Sequence, residues 1–266
     1  MIMDLKLQGK TAIVSGSTGG IGYAIASALA QEGAAVVVNG RTKQRVSSAV
    51  DQILKTSPQA QVSGVAADLS TDEGIEELFR QVPETDILIN NLGIFEAKPF
   101  EEITDLEWRH IFEVNVLSGV RLSRHYLPLM LRKNWGRIIF ISSESALNIP
   151  SEMIHYGVTK TAQLAVARGL AETTVGTNVT VNSVLPGPTK SEGVEEFVEG
   201  LAAQQGLTAE QVEQQFFEKA RPSSLLKRFA TPEEVAALVV FVSSPLSSAT
   251  NGAALRVDGG VVRSIV

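Results

Sequence analysis

The chain has 266 residues, 44% hydrophobic and 20% charged, with a net charge of −6 and no cysteine. This composition supports a large core and excludes a disordered chain, and the negative balance leaves no overall electrostatic footprint for nucleic acid or an anionic membrane. Without cysteine there are no disulfides, no thiolate catalysis and no cysteine-ligated metal.

The first ten residues, MIMDLKLQGK, lack the apolar run of a signal peptide, and no run in the chain is long enough to span a bilayer. A soluble, cytoplasmic protein with no nucleic-acid or membrane partner is therefore expected. From there, short β-branched runs alternate with amphipathic stretches. TAIVS (11–15) precedes a helix near 20–32, AAVVVN (34–39) one near 42–56, and VSGVAA (62–67) one near 72–81. DILIN (86–90) precedes a helix over 104–132, GRIIFIS (136–142) one over 153–175, NVTVNSV (178–184) a longer connection and a helix over 231–243, and AALRV (253–257) closes the series. The runs are mostly apolar throughout, as strands buried on both faces are. The alternation predicts a single α/β domain over 1–266, a parallel sheet with helices on both faces. Thr104 with Glu107 and Thr231 with Glu234 form capping boxes at helix starts.

More than forty residues separate Val184 from the helix after Thr231. Val194, Phe197, Val198 and Leu201 mark one short helix there; Val212 and Phe216, after a Thr208–Gln211 capping box, mark a second. A long connection of this kind is expected to act as a substrate lid, over about 188–228; the alternative is a structural helical hairpin.

The first strand runs into SGSTGGIG (15–22) ahead of a helix. Gly16 suits a tight turn, Gly20 lets backbone approach a pyrophosphate, and Gly22 lets helix and strand pack closely, with the helix N-terminus facing the phosphates. The alternative is a plain strand–helix turn. At the end of the second strand, VVVNGRT (36–42), no carboxylate stands ready for a ribose 2′-hydroxyl; Asn39, Gly40 and Arg41 occupy the place, with Arg45 one turn on. A guanidinium suits a 2′-phosphate, so NADP(H) is expected ahead of NAD(H), unless Arg41 is simply a solvated first-turn residue.

HYGVTK (155–160) places Tyr156 and Lys160 one helical turn apart, a pair ambiguous when read alone. Together with SGSTGGIG, Asp68 in AADL, NNLG (90–93), Asn115 in FEVNV, Ser143 thirteen residues before Tyr156, LPGPT (185–189) and VDGG (257–260), it makes the chain resemble the classical short-chain dehydrogenase/reductase (SDR) family from about Leu7 to the C-terminus. The resemblance implies a Rossmann-type doubly wound sheet of seven strands in the order 3-2-1-4-5-6-7, with 104–132 and 153–175 as helices that form a dimer interface, in a homo-oligomer, dimer or tetramer. It implies Asn115, Ser143, Tyr156 and Lys160 as a catalytic tetrad. It places Gly16, Ser17, Thr18, Gly20, Ile21, Gly22, Arg41, Asp68, Leu69, Asn91, Gly93, Tyr156, Lys160, Pro186, Gly187 and Thr189 around the cofactor. The chemistry fits the residue types: a tyrosine ionising near ~10 becomes a usable acid–base only beside a cation such as Lys160, and Ser143 can polarise the substrate oxygen. The resemblance further implies that Asn115 supports a water linking Lys160 to solvent.

The departures from the family pattern are Leu92 in place of a small alanine, Ser15 where threonine is commoner, Gly19 at an often basic position, and Glu144 directly after the serine. His110, His125 and His155 are too dispersed to ligate a metal, and none is expected. Trp108, Phe112 and Val116 share a helical stripe and read as core or interface. Arg132, Lys133 and Arg137 read as a solvated basic turn, or more sharply as an acyl-carrier dock.

The expected function is NADP(H)-dependent hydride transfer to or from a hydroxyl or keto group of a small substrate. The alternatives are a 3-oxoacyl-thioester reductase and a non-catalytic cofactor sensor. The lid's acidic residues, Glu192, Glu195, Glu196, Glu199, Glu210, Glu213 and Glu218, make it a poor partner for an acidic acyl carrier.

Overall fold

The computed structural model describes residues 4–265. Seven strands, β1 (Thr11–Val14), β2 (Ala35–Gly40), β3 (Val62–Ala66), β4 (Ile87–Asn90), β5 (Gly136–Ile141), β6 (Val179–Pro186) and β7 (Ala254–Val257), form one parallel sheet in the order β3-β2-β1-β4-β5-β6-β7. The strands are apolar throughout because successive side chains enter opposite layers. Ala12 and Val14, Ile87 and Ile89, Ile139 and Ile141 pack on one face with Ile25 and Leu29 of α1 (Gly20–Gln31), Ile53 of α2 (Lys43–Thr56) and Val235 and Val239 of α9 (Pro232–Ser243). Ile13, Leu88, Ile138 and Phe140 pack on the other with Leu78 of α3 (Asp72–Gln81), Leu122, Tyr126 and Met130 of α5 (Ser118–Lys133) and Ala167 of α6 (Ile154–Glu172). Each fully buried Ile, Leu or Val contributes about 1.5–3 kcal/mol.

The helix expected over 104–132 is interrupted. α4 (Asp105–Phe112) passes into a π-helical turn, Glu113–Leu117, before α5 begins. All three anticipated capping boxes are present. The basic turn is corrected at one residue. Arg137 lies on β5, 1% exposed, and its guanidinium donates to the carbonyls of Gly136, Asn178 and Ser244 and packs on the Trp135 ring. Burial pushes it down to about 10. Lys133 instead bonds Asp86 at 3.1 Å, and Arg132 is exposed.

The segment between β6 and α9 contains α7 (Glu192–Gln205), α8 (Ala209–Gln215) and a π-helical turn, Phe216–Ala220. Phe216 stacks on Phe229, and Phe217 meets both rings edge to face, which fixes its far end. The side chains of Glu192, Glu196 and Phe197 lie outside the described residues. Among the described residues no helix is long and apolar enough to cross a membrane.

Candidate active site

Every residue expected at the site falls at the carboxyl edge of the sheet. The glycine loop follows β1, Arg41 follows β2, Asp68 follows β3, Asn91 and Gly93 follow β4, Ser143 follows β5 and Gly187 follows β6. Strand order reverses between β1 and β4, where such sheets open a ligand crevice.

The glycine loop is braced from beneath. Gly16 has φ +60°, a backbone conformation that glycine adopts without strain. Its N–H donates to Asn39 Oδ1 (3.1 Å), while Asn39 Nδ2 donates to the Val65 and Ala67 carbonyls. Asn39 is therefore a buried clamp between the loop and β3. Ser17 is also turned inward: its hydroxyl donates to Val14 O at 2.6 Å and its N–H to Asn39 O. Asn91 Nδ2 donates to the Ser15 and Gly16 carbonyls at 2.9 and 3.0 Å. Leu92 fits because Gly16 has no side chain; a Cβ there would lie 3.2 Å from the Leu92 Cα. Leu69 is buried in the core, so its side chain stays inside. Helix α1 starts at Gly19 with no side-chain cap, whereas Thr42, Thr71 and Thr104 cap α2, α3 and α4. The first N–H groups of α1 thus face outward, beside Thr18 and Ile21, as an anion cradle. The site fits a dinucleotide phosphate. Arg41 is exposed at the end of β2 and acts on Asp68. Burial raises the Asp68 carboxyl, but two Ser70 hydrogen bonds and Arg41 outweigh it and hold it below its ordinary value. Thr189, 6% exposed, donates to Gly187 O, and Gly187 lies hard against Asp258 beyond Pro186.

At the other end of the crevice the four expected catalytic residues come together. Ser143 bonds the Tyr156 hydroxyl, and its Oγ accepts from the Ser145 N–H at 3.1 Å. Tyr156 is partly buried under Phe95, whose ring lies 6.2 Å away, and Lys160 Nζ is 5.5 Å from the Tyr156 ring. Lys160 is 4% exposed, and Nζ donates to Ile141 O at 2.9 Å and Gln163 Oε1 at 3.4 Å. Asn115 sits in the π-turn. Its Oδ1 accepts from the Ile94 N–H, and its Nδ2 donates to Ile94 O and Thr159 Oγ1. The widened turn frees the Asn115 carbonyl, which takes Gln163 Nε2 at 2.5 Å. A glutamine amide thus joins the Lys160 ammonium to Asn115.

The protein's own groups push the Tyr156 phenol up to about 12, burial first, with the Ser143 bond opposing. Burial brings Lys160 down to about 8. In the protein alone, burial of the phenol outweighs the opposing Ser143 bond, with the Lys160 ammonium 5.5 Å from the ring centre.

A family model described as enoyl-(acyl carrier protein) reductase matches residues 16–262. The chain belongs to the short-chain dehydrogenase/reductase family. It is 54% identical, over 99% of its length and all of the relative, to YvaG of Bacillus subtilis (strain 168), named an uncharacterized oxidoreductase. It is 33% identical to the 3-oxoacyl-(acyl-carrier-protein) reductase FabG of Aquifex aeolicus, over 97% of this chain and all of that one. Among solved structures, L-sorbose reductase from Gluconobacter frateurii, complexed with NADPH and L-sorbose, superposes with a TM-score of 0.93 at 31% identity, covering 99% of this chain and all of that one.

As a short-chain dehydrogenase/reductase, the chain is a nicotinamide-dependent oxidoreductase of hydroxyl and keto groups. Sequence reading missed three groups at the family's site. Asn39 and Gln163 carried no motif, since their partners lie 23 and 48 residues away. The third is Arg221, just after the π-helical turn Phe216–Ala220, whose Nε donates to Glu144 Oε1 at 2.9 Å. Glu144 is 3% exposed. Burial raises its carboxyl above the ordinary value, with Arg221 opposing. His155 is likewise buried, against Trp108, and burial lowers its pKa. Among the described residues no group of three potential metal ligands is gathered.

Proposed function

We propose that the enzyme reduces the keto group of a small polyhydroxylated substrate reversibly with NADP(H). In this reading Tyr156 is the proton donor, Ser143 holds the substrate oxygen, Lys160 orients the nicotinamide ribose and supplies positive charge, and Asn115 fixes the loop behind them. The observation that carries it is the gathering of Ser143, Tyr156, Lys160 and Asn115 beside an uncapped helix N-terminus at the strand-order reversal. The dinucleotide supplies the hydride when bound. Gly16, Gly20, Gly22, Thr18 and Ile21 hold its phosphates, and Asp68, Asn91, Gly93, Pro186, Gly187 and Thr189 flank it. Ser17 and Leu69 support these positions from below.

A phenol held at about 12 is an acid at neutral pH, suited to protonating a developing alkoxide, so the protein's own electrostatics favour reduction. Lys160, at about 8, is largely ammonium at neutral pH. Arg41, exposed where β2 ends without a carboxylate, supports NADP(H) over NAD(H), as does likeness to an enzyme complexed with NADPH. Likeness to an enzyme complexed with L-sorbose supports a polyhydroxylated ketone, and the segment 188–228 serves as its lid.

A second reading is 3-oxoacyl-thioester reduction, favoured by likeness to FabG. The lid opposes it, since Glu195, Glu199, Glu210 and Glu218 are exposed. A panel of ketoses, small ketones and acetoacetyl-thioester, each run with NADPH and NADH, separates the two. Ketose reduction with NADPH is expected; much faster thioester reduction would overturn the reading.

A further inference from the structure

Arg221 closes the lid's C-terminal π-turn, and two carboxylates inside the protein meet its charge through Nε and Nη1. Nε donates to Glu144 Oε1 at 2.9 Å, Nη1 donates to Ala220 O at 2.9 Å, and Nη1 lies 3.6 Å from Glu152 Oε1. The guanidinium also stands 5.8 Å from the Phe216 ring centre. Glu144 takes a further bond from Ser145 Oγ at 3.3 Å. Its backbone follows Ser143 directly, and Glu152 lies in the short turn that leads into α6, four residues before Tyr156. The clasp therefore joins the lid to both segments that carry the reacting hydroxyls.

Its position matters for substrate charge. Glu144 and Arg221 both act on the Tyr156 phenol, the carboxylate raising it and the guanidinium lowering it. Asp258, 8% exposed beside Gly187, adds a third carboxylate to the field at Glu144. An enzyme that binds a substrate carboxylate near its reacting carbon needs a cation with free donors and uncancelled charge. Arg221 meets two carboxylates instead, and Lys160 is committed to Ile141 O and Gln163 at the far side of Tyr156. The balance at the substrate end is acidic.

We propose that the Glu144–Arg221–Glu152 clasp is a specificity element that selects neutral hydroxyl and keto compounds over those bearing a carboxylate. The inference rests on the reading that Ser143 and Tyr156 handle the substrate oxygen, and it narrows the class to neutral polyols and ketones.

A matched pair tests it: ethyl acetoacetate, neutral, against acetoacetate, anionic, each with NADPH and the full-length enzyme, with L-sorbose run alongside. The wild type should favour the ester by about tenfold or more in kcat/KM, mainly through KM. Glu152→Gln removes a half-exposed carboxylate, does not touch the core, and should narrow that ratio several-fold by lowering KM for the anion. Glu144→Gln should move the ratio the same way. Equal or better use of acetoacetate by the wild type would overturn the proposal, as would an unchanged ratio in Glu152→Gln. Reduction of the ester with the expected ratios, but none of L-sorbose, would overturn the polyhydroxylated-substrate reading and leave the charge selection standing.

Discussion

Replacing Gly22 with alanine tests whether the β1–α1 turn is a cradle without spare room. A methyl there would stand 2.4 Å from Asn91 Nδ2, 2.5 Å from the Gly16 carbonyl oxygen and 3.0 Å from the Ser17 Cα. Ordinary contact starts at 3.4 Å, so the turn must open by about 1 Å, the difference between 3.4 and 2.5 Å. Two of the three neighbours are backbone of the turn itself and cannot swing aside. Overpacking of this kind costs about 1–3 kcal/mol. Alanine's helical advantage over glycine returns about 1 kcal/mol, because Gly22 lies in the first turn of α1. The net loss is about 0–2 kcal/mol, a fall of a few degrees in Tm for a chain of this size. The larger effect falls on binding. The same movement breaks the Asn91 bonds to the Ser15 and Gly16 carbonyls and turns the α1 N–H groups away from the phosphates. NADPH affinity, followed by nicotinamide fluorescence, should drop about tenfold or more, equivalent to about 1.4 kcal/mol. Gly169→Ala on α6 is the control, because a methyl there meets nothing within 4 Å. It should raise stability by up to about 1 kcal/mol and leave NADPH binding unchanged. Wild-type affinity in Gly22→Ala would refute the cradle.

Lys160→Met should abolish turnover yet stabilise the fold at neutral pH. The folded pKa of about 8 lies below the ordinary 10.5, so the unfolded chain binds more protons between those values. The penalty for burying the ammonium is full below pH 8 and is relieved as pH rises towards 10.5. Denaturant melts at pH 7 and pH 10 should show the variant's relative stability falling by about 2 kcal/mol; a pH-independent gap would contradict the burial account. Arg41→Glu should weaken NADPH more than tenfold (about 1.4 kcal/mol) and leave NADH unchanged or tighter, measured by the same fluorescence titration. Asn39→Ala removes the clamp on Gly16, Val65 and Ala67, and should lower stability by about 1–3 kcal/mol and weaken NADPH together, read by melting and titration.

The strands were legible because both faces of the sheet are covered, which leaves unbroken apolar runs such as TAIVS and GRIIFIS. Capping boxes marked the starts of α4, α8 and α9 for a local reason, since cap and partner lie three residues apart. The π-turn at Glu113–Leu117 left no such trace. Its cause is the set of long-range bonds from Asn115 to Ile94, Thr159 and Gln163, and hydrophobic spacing does not record those. Arg137 was misread for a related reason. Its sequence neighbours, Arg132 and Lys133, suggest a solvated turn, while the carbonyls that receive its guanidinium come from Asn178 and Ser244. The site's motifs marked which residues converge, and only the tertiary partners decide which way Asn39, Ser17 and Glu144 turn.

The central claim is that Tyr156 moves the proton while the glycine loop and Lys160 hold the dinucleotide. Tyr156→Phe keeps the ring against Phe95 and removes only the hydroxyl that meets Ser143. Ketone-dependent oxidation of NADPH and NADPH affinity, measured on the same preparation, test it most directly. Turnover should fall by about a hundredfold or more, the scale of a lost general acid, with affinity within about twofold of the wild type. Undiminished turnover would contradict the assignment.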